Sequence, residues 1–222
     1  TCALPIWDTK FSFSSEYGVN DLAVSGQDPM DSYQMNEYVG QALMNSFGMS
    51  REEADSYILA NYWDGTTNTD WKNEVRRDKA AIQQTYNLSA TGGNERTQYF
   101  VSGGYFNQEG VIDATEFSRY SGTVNITSQA TEKFKINAGV ISSYSDMETV
   151  TQGVSFANPM LAQYFLRSWD KGYNEDGSFY IGQPGSRRMP NGLFNPMFLQ
   201  ENNFQNAGTT KVTVNLRGTY DI

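Results

Sequence analysis

The chain has 222 residues, a formal net charge of −9, 14% aromatic and 18% charged residues, one cysteine and no histidine. The negative charge disfavours nucleic acid as a partner, because phosphate binding requires a basic surface. Cys2 alone cannot build a disulfide framework, and the lack of histidine excludes zinc hydrolases and histidine-dependent triads, leaving only carboxylate chemistry open to an enzyme.

Residues 1–7 match none of the patterns that follow, and we interpret them as an ordinary loop or a foreign end, with residues 8–222 as the patterned part. The start shows no basic region followed by an apolar run, so no signal peptide is expected there. No apolar run approaches the roughly 18 residues of a membrane-spanning helix, which excludes a helical membrane protein.

Six stretches alternate apolar and polar residues with the period of two that is typical of β-strands. Tyrosines gather near the strand ends, and tyrosine suits a boundary between an apolar medium and water. The predicted strands are residues 10–19, 82–91, 97–108, 118–128, 133–146 and 211–220.

A long excursion over residues 20–79 follows the first strand. Asp28 predicts the N-cap of a helix in this excursion, with Pro29 at its first helical position. Ser50 and Glu53 match a capping box and predict a second helix. The excursion is therefore expected to contain two helices.

A second long excursion covers residues 147–208. The dipeptide Asn158-Pro159 predicts a short helix in it. Residues 174–177 read Asn-Glu-Asp-Gly, which predicts a hairpin turn. This excursion is also expected to contain structure of its own.

The connections between strands are short after the second and fourth strands and longer after the first, third and fifth. This asymmetry is typical of outer-membrane barrels, which have short periplasmic turns and long extracellular loops. We therefore predict an all-β fold with loop helices, an antiparallel up-and-down transmembrane β-barrel segment of about six strands. Spanning barrels need about eight strands or more, so the barrel would be incomplete. A soluble β-sandwich would show the same alternation and stays the alternative.

In a barrel wall, one face of each strand meets lipid and the other faces the lumen. The residues expected to face lipid include Tyr86, Leu88, Tyr99, Val101, Val124 and Ile126. The residues expected to line the lumen, in contact with a plug or with substrate, include Asn87, Ser89, Arg119, Asn125, Lys135 and Arg217.

Four motifs resemble the SusC/RagA family of TonB-linked outer-membrane transporters. They are residues 68–71 (NTDW), 86–99 (YNLSATGGNERTQY), 104–110 (GYFNQEG) and 117–121 (FSRYS). The resemblance extends from about residue 10 to residue 222. Thr123 departs from it, because the family often has a second arginine there.

The resemblance implies a barrel of about 22 strands, of which this sequence would contain six. The plug domain, the TonB-contact segment and the other strands would lie outside this sequence. The implied function is import of an oligosaccharide or peptide across the bacterial outer membrane, with a SusD-like surface lipoprotein as partner and TonB acting through the plug. No covalent chemistry and no cofactor are expected. A soluble or surface-attached β-rich carbohydrate-binding module is the alternative.

Aromatic side chains in the two excursions could stack on a sugar ring, grip a peptide, or pack the loop helices against one another. These candidates are Tyr62, Trp63, Trp71, Trp169 and Tyr173.

Three further loop features have two readings each. Asp64, Asn68 and Asp70 place oxygen ligands at spacings that suit calcium, although turn-forming residues explain them without a metal. The pair Arg187-Arg188 could attract an anionic substrate or be solvated. The predicted helix over residues 31–47 could meet the partner lipoprotein or pack on neighbouring loops.

Overall fold

The computed structural model describes residues 7–24, 26–150, 152, 157–182 and 189–222. Among these residues, no helix has the length and apolar character needed to cross a membrane. The architecture consists of one β-sheet and a set of helices that come from the two long excursions.

The sheet contains six antiparallel strands in sequence order, each paired with the next, which confirms the predicted up-and-down arrangement. Within the described chain, the first strand pairs only with the second and the last only with the fifth, so the sheet is not closed. The strands are β1 (Trp7–Asn20), β2 (Ala81–Gly93), β3 (Thr97–Glu109), β4 (Glu116–Gln129), β5 (Phe134–Val150) and β6 (Phe204–Tyr220).

The last two strands are longer than their patterns predicted. Both contain 17 residues, and their pairing continues to Val150 and Phe204. Residues 207–210 read Ala-Gly-Thr-Thr and carry no large apolar side chain, so alternation does not reveal them. The phenol group of Tyr144 covers Gly208 in this part of β6. A Cβ atom added to Gly208 would lie 3.3–3.9 Å from the phenol atoms.

The described residues of the excursions form five helices, and the excursions meet the sheet at the end that we call the outer end. The capping box of Ser50 and Glu53 is present, since the Glu53 amide donates to Ser50 Oγ at 3.2 Å and the Ser50 amide donates to Glu53 Oε2 at 2.8 Å. Asn158 caps its helix as predicted. The helices are α1 (Ser32–Phe47), α2 (Arg51–Asn61), α3 (Trp71–Glu74), α4 (Pro159–Phe165) and α5 (Pro196–Asn202).

The predicted start of the first helix was wrong. The N-cap of α1 is Asp31, whose carboxylate accepts from the Gln34 amide at 2.7 Å while the Gln34 side chain accepts from the Asp31 amide at 3.1 Å. Asp28 pairs instead with the buried ammonium of Lys72. A complete capping box at Asp31 thus prevails over the Asp28-Pro29 signal.

Among the described residues, both clusters of buried apolar side chains lie in the excursions. One cluster contains Trp71, Ala162, Leu166, Met189 and Met197, and so combines both excursions. A second cluster joins Ile58, Trp63 and Trp169 and also combines them. The described strands contain two buried hydrophobic residues, Ala81 and Val150, and both lie at the outer end, beside the loops. We call this combined unit of α1 to α5 the cap.

Candidate functional site

The register of the sheet gives it two chemically different faces. Residues directly opposite one another in adjacent strands share a face, and in the described pairing the register shifts only between Trp7 and Lys10. One cross-strand row is apolar over all six strands and consists of Phe11, Ala90, Val101, Val124, Val140 and Val214. We call this side the apolar face.

The apolar face is exposed in this structure. Phe11 is 75% exposed, Val214 is 68% exposed and Leu216 is 78% exposed. The residues expected to face lipid all share this face, namely Tyr86, Leu88, Tyr99, Val101, Val124 and Ile126. A large contiguous apolar patch of this kind marks a surface that meets a membrane or a partner.

Aromatic residues border the apolar face at both ends. Near the outer end, Tyr86, Tyr105, Tyr120 and Tyr144 lie opposite one another across four strands, with ring centroids 6.4 Å apart for the first pair and 4.9 Å for the second. Phe134 lies at the other end, about 34 Å from Tyr144 along β5 at roughly 3.4 Å per residue. With a strand tilt of about 40°, that length spans roughly 26 Å, which matches the apolar band of membrane barrels.

The opposite face is polar, and we call it the polar face. One row across all six strands contains Ser14, Asn87, Gly104, Ser121, Ser143 and Lys211. The register places every predicted lumen residue on this face: Asn87, Ser89, Arg119, Asn125, Lys135 and Arg217. The strand pairing shows that these six residues share one face. Their contact with a plug or with substrate stays a prediction.

Two glycines allow asparagine amides to lie flat along the polar face. Asn87 is opposite Gly104, and a Cβ atom on this glycine would lie 2.8 Å from Asn87 Oδ1. Asn125 is opposite Gly139, where a Cβ atom would lie 2.6 Å from Asn125 Oδ1. These contacts keep the amides close to the wall, and alternation alone could not have revealed them.

Arg119 is held by an aromatic ring on the polar face. Its guanidinium carbon lies 5.8 Å from the ring centroid of Phe106, which is directly opposite in β3. A cation over an aromatic face is attracted by the quadrupole of the ring. Sequence reasoning did not single out Phe106, because an aromatic residue on a polar face breaks the expected pattern.

The three tryptophans among the candidate substrate contacts are buried in the cap. Trp63, Trp71 and Trp169 are 7%, 1% and 4% exposed. Their indole N–H groups donate to backbone carbonyls at 2.8–3.0 Å, those of Thr67, Arg167 and Ser32 respectively. The burial supports the alternative that these side chains pack the loops together.

Tyr62 and Tyr173 remain open to solvent, at 45% and 44% exposure. Tyr62 stacks on Trp169 with a centroid distance of 6.4 Å and has the Arg167 guanidinium 5.7 Å from its ring. It borders a cavity of about 780 Å³ that Phe165 also lines. Of the five aromatic candidates, Tyr62 and Tyr173 are thus the two that a ligand could reach.

Tyr173 lies in a strongly acidic cleft. Its ring stacks on Phe179 at 5.5 Å, within the predicted hairpin, which is present as a bridge between these two residues. The cleft has a volume of about 630 Å³. Burial, reinforced by Asp78 and Asp70, raises the pKa of the Glu74 carboxyl there. The other acidic residues of its lining are Asp78, Asp113, Glu148 and Glu201.

The three oxygen-bearing residues considered for calcium serve separate structural roles. Asp64 Oδ1 accepts from the Thr67 amide at 2.6 Å, and Asn68 Oδ1 accepts from the Ser32 amide at 3.0 Å. Asp70 caps α3. In the described part of the chain, no group of three or more acidic, cysteine or histidine side chains is arranged to hold a metal ion.

Two earlier interpretations concern residues that the structure does not describe. Arg187-Arg188 lies outside the described ranges, and so do residues 1–6 of the unassigned end.

The chain resembles several TonB-dependent receptors in sequence. It is 29% identical over 130 residues to TonB-dependent receptor P3 of Formosa agariphila, covering 56% of this chain and 13% of that receptor. It is 30% identical over 106 residues to TonB-dependent receptor SusC of Bacteroides thetaiotaomicron, covering 45% of this chain and 10% of SusC. The matched regions are therefore about a tenth of the length of these relatives. No family model matches the chain.

The fold resembles solved transporter structures over nearly its whole length. The structure of the RagAB peptide transporter matches with a TM-score of 0.71 at 18% identity, over 96% of this chain and 26% of that chain. The RagAB peptide importer in the closed-closed state matches with a TM-score of 0.69 at 19% identity, over the same shares. At these identities, the likeness establishes the fold.

The chain is a two-faced antiparallel wall with a loop cap at its outer end, and its fold matches part of the solved RagAB transporter structures. The sequence relatives and the fold likeness together support a SusC/RagA-like TonB-dependent receptor, over part of the length of these receptors. Receptors of this type are outer-membrane proteins.

Proposed function

We propose that the chain forms part of the wall and outer loops of a TonB-dependent importer for oligosaccharides or peptides in the outer membrane. The exposed apolar face carries this proposal, because it is continuous over six strands and bordered by aromatic residues. In a soluble carbohydrate-binding module, side chains such as Phe11, Val214 and Leu216 would stand in water. In a membrane barrel, the same side chains would contact the apolar lipid chains.

The polar face supplies one side of the conduit in this proposal. Its side chains are mostly small hydroxyls and amides, and its cations include Arg119, Lys135, Lys211 and Arg217. Water, a plug domain or a hydrophilic nutrient would all find hydrogen-bonding groups on this wall. The wall would act by positioning and guiding the nutrient. We propose no covalent chemistry, and the relatives are named as receptors and transporters.

The cap offers a surface for the proposed SusD-like lipoprotein. On α1, Tyr33, Tyr38 and Phe47 are 64%, 66% and 72% exposed. Exposed aromatic residues are common at the centre of protein interfaces. TonB would act through a plug domain, and the energy for opening the conduit would come from that contact.

Genetics in the host bacterium tests this function. The gene that encodes this chain is deleted, and growth is measured on single oligosaccharides and on protein digests as the only carbon source. We expect growth to fail on one nutrient class and to return on complementation. The receptor should partition with the outer-membrane fraction and co-purify with a surface lipoprotein. Recovery of the native protein in the detergent-free soluble fraction would overturn the proposal.

A further inference from the structure

We propose that the two excursions form one rigid brace across the outer end of the six-stranded sheet, and that they do not open as separate flaps. The first joins β1 to β2 and the second joins β5 to β6, so the cap bridges the strands between them. An independently moving loop would need few contacts with its neighbour. The contacts between the two excursions are extensive and largely buried.

The tryptophans form the centre of this brace. Trp63 of the first excursion stacks on Trp169 of the second, with centroids 6.2 Å apart and planes inclined by 18°. Trp71 donates to the Arg167 carbonyl at 2.8 Å, and Trp169 donates back to the Ser32 carbonyl at 3.0 Å. Separation of the loops would expose three large indole rings to water, and it would exchange these hydrogen bonds for bonds to water. The loss of buried aromatic area is the larger cost.

Backbone contacts fix the relative position of the two excursions. The Thr69 amide donates to the Ser168 carbonyl at 2.9 Å, and the Thr69 hydroxyl donates to the Asp170 carbonyl at 2.7 Å. The buried Gln200 side chain of α5 donates to the Val75 carbonyl at 2.8 Å. The segment of residues 167–170 is therefore held by both side chains and backbone of the first excursion.

The brace is also attached to the strands beneath it. After α3, the Arg77 amide donates to the Val111 carbonyl at 3.0 Å, in the loop between β3 and β4. The Arg77 guanidinium donates to the Gly110 and Thr115 carbonyls at 3.0 and 3.2 Å. The loop between β3 and β4 is thus bound to the first excursion, so the cap and this loop together join all three outer connections of the sheet.

A removable covalent lock between the excursions tests the proposal. The hydrogen bond from Thr69 to Ser168 brings the two backbones within the range that a disulfide spans. The double variant Thr69→Cys/Ser168→Cys is placed in the whole receptor in its host, and nutrient uptake is compared between oxidised and reduced cells. If the brace is rigid, uptake changes by less than threefold on oxidation. A greater loss that a reductant reverses would overturn the proposal. The single variants Thr69→Cys and Ser168→Cys are the controls.

The uptake measurement rests on the proposed import function, whereas hydrogen exchange does not. In the purified receptor, Trp169→Ala should speed amide exchange at least tenfold in both residues 54–63 and residues 159–166. Sheet amides should keep their exchange rates, which shows that the variant is assembled. Faster exchange in the second excursion alone would overturn the brace even in a receptor that imports nothing tested.

Discussion

The sheet and the cap place their large apolar side chains in opposite directions. In the sheet, Val214 and Leu216 point outward and are 68% and 78% exposed, while the strands are held together by backbone pairing. In the cap, Ile58 and Trp71 point inward and are at most 1% exposed. The two parts of the chain therefore bury their apolar side chains differently, and the proposed function explains this by lipid around the sheet and water around the cap. The boundary between the two parts lies at the outer ends of the strands.

The largest expected effect comes from removing the centre of the cap core. Trp71→Ala should lower the opening free energy of the cap by about 3–5 kcal/mol, since a large buried aromatic side chain leaves a cavity. Hydrogen exchange of the amides in α4 and α5 measures this loss. Tyr164→Ala is the control, because Tyr164 is 49% exposed, and its cost should stay within about 0.5 kcal/mol. Equal losses in the two variants would show that the cap is not stabilised by a buried apolar core.

A charge on the apolar face tests the lipid side of the comparison. Val124→Arg should destabilise the receptor in lipid vesicles by about 2–4 kcal/mol, the cost of an arginine near the bilayer midplane. Urea unfolding in vesicles measures the change. Thr123→Arg is the matched control, because the neighbouring residue belongs to the polar face and should tolerate the same charge. If both variants lose the same stability, the two faces do not meet different solvents.

A methyl group at Gly139 probes how closely the polar wall is packed. Gly139→Ala should cost about 1 kcal/mol, because its Cβ atom would lie 2.6 Å from Asn125 Oδ1 and would displace that amide toward the lumen. The double variant Asn125→Ala/Gly139→Ala should recover most of the loss in a double-mutant cycle. Gly122→Ala on the apolar face, where the nearest atom is 3.4 Å away, is the control. Additive losses would contradict this contact.

The smallest expected effect belongs to a surface ion pair of the cap. Lys171 Nζ lies 3.0 Å from Asp64 Oδ2, and both side chains are more than a third exposed. Lys171→Ala should therefore cost only about 0.2–1 kcal/mol, measured by hydrogen exchange of the cap. A loss as large as that of Trp71→Ala would mean that ion pairs, and not apolar burial, hold the cap.

The pH dependence of the cap follows from Asp64. Burial acts to raise the pKa of this carboxyl, but hydrogen bonds from Thr67 and Thr66 together with Lys171 hold it well below its usual range. A depressed pKa contributes stability that is present above the unfolded value of about 3.9 and is lost as the pH falls through the folded value. Asp64→Asn should remove this acid-sensitive part of the pH profile. An unchanged profile would exclude Asp64 as its source.

The sheet could be predicted well because backbone pairing imposes a period of two on every strand. The faces of Asn87, Arg119 and Arg217 followed from that period. Residues 204–210 escaped prediction because their pairing with β5 depends on the partner strand and not on their own side chains.

The cap could be predicted only in its local elements. The Ser50 capping box is encoded within four residues, and it appeared as expected. The burial of Trp71 and Trp169 depends on contacts between segments about a hundred residues apart, which no local pattern encodes. For the same reason, the sequence could not decide between ligand stacking and loop packing for these tryptophans.

The interlocking of the two excursions has a consequence for how such receptors diversify. A change in one loop alone meets the unchanged tryptophans and carbonyls of the other, for example where Trp71 meets Arg167. Transplanting a single loop from a relative would therefore give a mismatched chimera, whereas transplanting both together would carry a complete unit. In recombination and in engineering, the two excursions should therefore be exchanged together, although β2 to β5 separate them in the chain.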